Sequence, residues 1–125
     1  MNSFKIGNTE FGIGNVQFFI ADNLLNLEIS GNDDIFDELT IDDNCEWSWA
    51  LYPPQIYFRD VLYTGKDIEV DTDFLEEYDV ALYMMEHNDF IGTLKLSDSS
   101  IDICGQVEID GELLSLVISI ERKNL

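Results

Sequence analysis

Asp110-Gly111 is the pair of residues that most restricts the fold of this chain, because a two-residue hairpin turn needs positive φ at both central positions and Asp-Gly supplies it. Counting outward from that turn sets Val107 opposite Leu114, Ile103 opposite Ile118 and Ile101 opposite Ile120. On the other side Gln106 faces Ser115 and Asp102 faces Ser119. Side chains alternate across a strand, so a one-residue slip would carry the whole apolar set into water. The register is therefore fixed, with one apolar face and one polar face.

The same count works at Asp22-Asn23, which pairs Ile20 with Leu25, Phe18 with Leu27 and Val16 with Ile29, and leaves Gln17 and Glu28 on the opposite face. A third hairpin is expected around Asn88-Asp89, with Tyr83 opposite Leu94, Ala81 opposite Leu96, and Leu82 and Lys95 behind them. Cys45 to Tyr52 and Gln55 to Tyr63 alternate as strands, separated by Pro53-Pro54, which cannot donate ladder hydrogen bonds and marks a break or an edge. Two acidic segments break the alternation. Asn32 is placed to cap a short helix over Asn32 to Leu39, with Asp33 and Asp34 in its first turn, and Thr72 to cap one or two helical turns with Phe74 or Leu75 facing inward. The chain is thus expected to be mainly β, a β-sandwich or rolled antiparallel sheet built from hairpins with one or two short helices, in a single domain over residues 1–125.

Charge narrows the partners. Against 26 Asp+Glu stand 6 Lys+Arg, a formal net charge of -20, which repels nucleic acid and anionic membranes and favours a basic protein as partner. Hydrophobic residues at 46% are too many for a disordered acidic tail, so a packed core is expected. Met1 to Lys5 lacks the basic start and apolar run of a secretory signal, and no stretch reaches a membrane span, so a cytoplasmic location is expected. Cys45 and Cys104 lack metal-ligand spacing and read as free thiols.

The residues that usually carry catalysis are few. His87 is the one histidine and sits beside the turn expected at Asn88-Asp89, where an exposed turn residue explains it. Gly12-Ile13-Gly14 lacks the third glycine of a dinucleotide fingerprint and reads as a loop. With 26 acids, some pair of carboxylates will always lie at a hydrolase-like spacing, so that signal has no weight. No enzyme activity and no cofactor are expected. Asp71-Thr72-Asp73 with Glu76 and Glu77, and Asp42-Asp43-Asn44 with Glu46, offer oxygen ligands for calcium but lack the glycine-centred spacing of a helix-loop-helix site.

The acids cluster. Asp33, Asp34, Asp37, Glu38, Asp42, Asp43 and Glu46 follow one another without a base, and seven more run from Asp67 to Asp79, including Asp71, Asp73, Glu76 and Glu77. Such density acts against compactness by self-repulsion, and its functional reading is the steering of a cationic partner. Trp47 and Trp49 share a strand face with Cys45 and Leu51 and are expected in the core, whereas Tyr52, Tyr57 and Tyr63 are the exposed candidates. Tyr57, Arg59 and Tyr63 are expected on one face opposite Ile56, Phe58 and Leu62, as interface anchors.

In its acidic runs Asp33 to Glu46 and Asp67 to Asp79, set in a β-rich and catalytically bare chain, the sequence resembles the class of small acidic immunity proteins that bacteria make to neutralise a cognate toxin, often a basic nuclease. The resemblance implies occlusion of a toxin's cleft or a neighbouring surface, with no particular contacts. A calcium- or carbohydrate-binding β-domain and a structural or phage-type assembly protein are the other readings these features allow.

Overall fold

The computed structural model describes residues 2–41 and 46–124. It is a β-sandwich of two antiparallel sheets with two short helices. One sheet has six strands in the order β2 (Thr9–Glu10), β1 (Ser3–Ile6), β11 (Glu112–Glu121), β10 (Ser100–Ile109), β9 (Phe90–Leu96) and β6 (Ile68–Val70). The other has five in the order β3 (Val16–Ala21), β4 (Leu24–Ser30), β5 (Gln55–Leu62), β7 (Asp79–Met84) and β8 (Glu86–Asn88). Helix α1 (Asp33–Leu39) follows β4, and α2 (Thr72–Glu77) carries the chain from β6 to β7.

Both strong hairpins form in the expected register. Asp110 and Gly111 take φ of 52° and 78°, and Val107, Ile103 and Ile101 pair with Leu114, Ile118 and Ile120. Asp22 and Asn23 take φ of 53° and 63°, and Ile20, Phe18 and Val16 pair with Leu25, Leu27 and Ile29. Between the sheets the core is aliphatic and phenylalanine-rich. Phe58 of β5 meets Phe90 of β9 edge to face, centroids 6.5 Å apart. The Phe90 ring lies over the paired Gly92 and Gly105, and a Cβ on Gly105 would stand 2.9 Å from that ring and 2.1 Å from the Ile91 carbonyl oxygen. Glycine is required there by close approach.

Several expectations are corrected. No hairpin forms around Asn88-Asp89, since β7 and β9 belong to different sheets. The chain reverses earlier, at Met85 with φ of 69°, so that Tyr83 pairs with His87, and it crosses between sheets at Asp89. Asn88 is buried and donates from Nδ2 to the Leu82 and Glu86 carbonyls at 3.3 and 3.1 Å, which satisfies a polar group the core could not otherwise hold.

The segment from Cys45 to Tyr52 does not form a strand. Its first residue lies outside the described ones, and 46–49 form a turn closed by the Ala50 N–H donating to the Trp47 carbonyl at 3.0 Å. Trp47 is buried, but Trp49 is 39% exposed and Leu51 68%.

Strand β5 does not keep one phase. The β4–β5 register shifts between Leu25 and Leu27, and Asp60 sits at φ of 51°. After this bulge Val61 points inward, Leu62 is exposed and Tyr63 packs against the core, so Tyr63 does not share a face with Arg59. Tyr57 is buried, not exposed.

Lastly, α2 is capped one residue earlier than expected. Asp71 Oδ1 accepts the Phe74 N–H at 2.9 Å, making Thr72 the first helical residue. Phe74 and Leu75 pack against the core as expected. Among the described residues no helix is long and apolar enough to cross a membrane.

Candidate partner-binding interface

The first acidic run and the aromatic turn that follows it belong to the connection between β4 and β5, at one end of the sandwich. The Gly31 N–H donates to the Pro54 carbonyl at 2.9 Å and ties the two ends of this connection together. Asn32 caps α1, its Oδ1 accepting the Ile35 N–H at 3.0 Å, while its own N–H donates to the Phe11 carbonyl at 3.0 Å. Only Phe36 of the helix is buried, so Asp33, Asp34, Asp37 and Glu38 all face solvent. Asp33 and Asp34 lie at the favourable end of the helix dipole, whereas the last turn has no base to balance Asp37 and Glu38.

The turn after the helix hangs on the same segment. Trp47 is buried against Phe11, ring centroids 5.4 Å apart and nearly perpendicular, and its Nε1–H donates to the Thr9 hydroxyl at 2.8 Å. Thr9 Oγ1 in turn donates to Glu46 Oε1 at 3.1 Å. With Trp47 and Ala50 held inward, the turn presents Trp49, Leu51 and Tyr52 outward, and Ile41 is exposed at the end of the helix. The β4–β5 connection thus exposes aromatic and aliphatic side chains as well as the carboxylates of α1. Asp42, Asp43 and Cys45 lie outside the described residues.

The second acidic run is at the other end. Ser30 pairs with Gln55 where α1 leaves the five-stranded sheet, while β7 begins at Asp79 opposite Arg59, toward the far end of β5, and α2 immediately precedes it. Asp73, Glu76 and Glu77 are exposed there, and Asp71 is engaged as the cap. A groove of about 590 Å³ runs between α2 and the outer face of the six-stranded sheet, with Leu75, Ile91 and Leu113 in its lining and Glu76 and Glu108 beside them. The described acids of the two runs therefore form separate surfaces. Among the described residues no three or more His, Cys, Asp or Glu side chains gather as a metal site.

Arg59 and Tyr57 lie on the outer face of the five-stranded sheet. The Arg59 guanidinium lies 4.0 Å above the Tyr57 ring and forms ion pairs with Asp79 at 3.3 Å and Glu28 at 3.6 Å. Burial pushes the Tyr57 hydroxyl above its ordinary pKa, the Asp79 carboxylate adds to this, and Arg59 partly opposes it. His87 stands edge-on to Tyr57 and packs on Tyr83, centroids 6.0 and 5.3 Å away. Arg59 is thus balanced within the chain, and Tyr57 lies beneath it instead of serving as a free anchor.

Of the aromatic residues expected at an interface, only Tyr52, 58% exposed, is offered freely to a partner. Trp49, Leu51 and Ile41 were not anticipated there, and the signal that could have identified them is their position within the acidic run, for Ile41, or directly after it, for Trp49 and Leu51. The chain matches no protein-family model, and no curated protein and no solved structure is detectably similar to it.

Proposed function

We propose that this chain is a non-catalytic binding protein that neutralises a basic protein, acting as an immunity protein that occludes a cognate bacterial toxin such as a nuclease. The observation that carries the reading is the exposure of Trp49, Leu51 and Tyr52 on the same β4–β5 connection as the exposed carboxylates of α1. Interfaces draw most of their affinity from a few desolvated aromatic and aliphatic anchors, and a surrounding field of one sign sets encounter rate and partner choice. Here both parts occur on one connection, held by Trp47 and Phe36 in the core. The net charge of -20 makes the encounter attractive for a basic partner at long range and repulsive for nucleic acid or an anionic membrane.

Capture of partners from source lysate on the tagged chain tests this directly. One basic protein retained stoichiometrically at low salt, and lost by Leu51→Asp with the fold intact, is the expected result. If retention is unaffected by Leu51→Asp and Tyr52→Ala together, the interface lies elsewhere. If no basic protein is retained, the reading is wrong.

A further inference from the structure

Among the described residues β3 has a neighbour, β4, on one side alone, and it is the one long open edge in the sandwich. The other edge strands, β2, β6 and β8, have two, three and three residues, against six in β3. The outward groups of β3 follow from its pairing. The Ser30 N–H donates to the Asn15 carbonyl at 2.9 Å, so Asn15 is in a hydrogen-bonded pair, and the alternation of an antiparallel ladder puts Gln17, Phe19 and Ala21 in the same class. The N–H and C=O groups of Val16, Phe18 and Ile20 therefore point away from β4.

Proteins usually blunt such an edge with a lysine, a proline or a bulge. Val16-Gln17-Phe18-Phe19-Ile20-Ala21 has no proline and no charge of either sign, in a chain with 26 Asp+Glu, and Phe19 and Ile20 are 57% and 43% exposed. Acids stand instead at its two ends. Asp22 is exposed in the turn that follows. At the other end Gly14 abuts Gly31 and Asn32, where a Cβ would come within 2.3 Å of the Gly31 carbonyl oxygen, and so brings the start of α1 with Asp33 and Asp34 beside the start of β3.

We infer that β3 is a strand-addition site whose occupant is an extended segment of a basic protein, apolar or polar in its middle and basic at its ends. This rests on the cationic-partner reading above and names a second contact for it. Main-chain hydrogen bonds to Val16, Phe18 and Ile20 supply affinity, and Asp22 at one end with Asp33 and Asp34 at the other select the charge. A second copy of the chain does not fit. Antiparallel self-pairing would set Asp22 of each copy toward Asp33 and Asp34 of the other, twice, between two chains of net charge -20.

The test uses the synthetic peptide Lys-Val-Thr-Val-Thr-Val-Lys, its glutamate-ended counterpart, and the lysine peptide N-methylated at alternate residues, titrated into isotope-labelled protein and followed by amide shifts and hydrogen exchange. The lysine peptide should protect the Val16, Phe18 and Ile20 amides, and the other two peptides should bind about tenfold more weakly or not at all. The methylated peptide keeps sequence and charge and removes only ladder donors, so no protein variant has to fold. Shifts confined to α1 and residues 49–52 overturn the edge site while leaving the cationic-partner reading in place. Equal binding of the lysine and glutamate peptides, no binding at millimolar peptide, or dimerisation of the protein through β3 each overturn it as well. The lysate capture decides the partner reading independently.

Discussion

The indole rings of Trp47 and Trp49 lie 6.2 Å apart at a tilt of 48°, yet Trp47 is 4% exposed and Trp49 39%. Neighbours on one turn, they are assigned to different tasks. Trp47 locks the turn into the core against Phe11, and Trp49 faces the solvent beside Leu51 and Tyr52.

Opposite consequences are expected on truncation. Trp47→Ala leaves a cavity in a packed core and should destabilise by about 3–5 kcal/mol in urea unfolding. Trp49→Ala should change stability by less than about 1 kcal/mol while weakening the captured basic partner by about 1–2 kcal/mol, read by titration calorimetry. If both variants lose stability alike, Trp49 is a core residue and the proposed anchor set is wrong.

Asp37 and Glu38 stand in the C-terminal half of α1 with no base in the last turn, where the helix dipole disfavours negative charge. Asp37→Asn with Glu38→Gln should raise stability by a few tenths of a kcal/mol. The same pair of changes should slow association with the basic partner, and the slowing should shrink as salt screens the field. A faster dissociation with unchanged association in stopped-flow measurements would place these carboxylates inside the contact and not on its rim.

The parts of the fold that were legible are those where turn chemistry and alternation agree. At Asp110-Gly111 and Asp22-Asn23 the turn residues tolerate positive φ and the flanking apolar residues pair, so the two signals reinforce each other. At the β7–β8 reversal they conflict. Met85 takes positive φ without any sequence sign of it, while Asn88-Asp89 looks like a turn but serves as a buried pin and a crossover. The same holds at the candidate interface. The cap of α1 was readable from Asn32, but Trp47, Trp49 and Leu51 alternate as a strand would, and only burial of Trp47 with Ala50, three residues on, turns the segment into a tight turn. Periodicity over so few residues cannot separate the two arrangements.

The bulge that reverses the phase of β5 is held by a reciprocal pair. Asn26 Nδ2 donates to Asp60 Oδ1 at 3.2 Å, and the Asp60 N–H donates to Asn26 Oδ1 at 3.2 Å. Asp60 also takes a left-handed backbone conformation, which Asp tolerates better than Ala and Gly better than either. Asp60→Ala should therefore destabilise by about 1–2 kcal/mol through strain and one lost hydrogen bond. Asp60→Gly, which loses the same side chain but relieves the backbone, should recover about half of that. Equal loss in the two variants under urea would show that the side-chain pair, not the backbone, sets the bulge.

Glu10 provides the clearest pH dependence. Burial alone raises its pKa, but hydrogen bonds from the Ser3 hydroxyl, the Phe4 N–H at 2.8 Å and the Gly12 N–H at 2.9 Å, with the charge of Lys5, outweigh that and hold it below the ordinary carboxylate value. Because the folded pKa is the lower one, the stabilisation is present above the unfolded carboxylate pKa and is lost as pH falls through the folded value. Self-repulsion within a chain of net charge -20 is a second, general contribution to the stability of the parent. The two effects separate in a difference measurement. Glu10→Gln should be less stable than the parent by about 1 kcal/mol at neutral pH, a figure discounted for the exposure of the carboxylate. That gap should close as pH is lowered through the carboxylate range, whatever the parent curve does. A gap that stays constant with pH would mean that Glu10 contributes by packing its stem against the β1–β2 ribbon, and not by its charge.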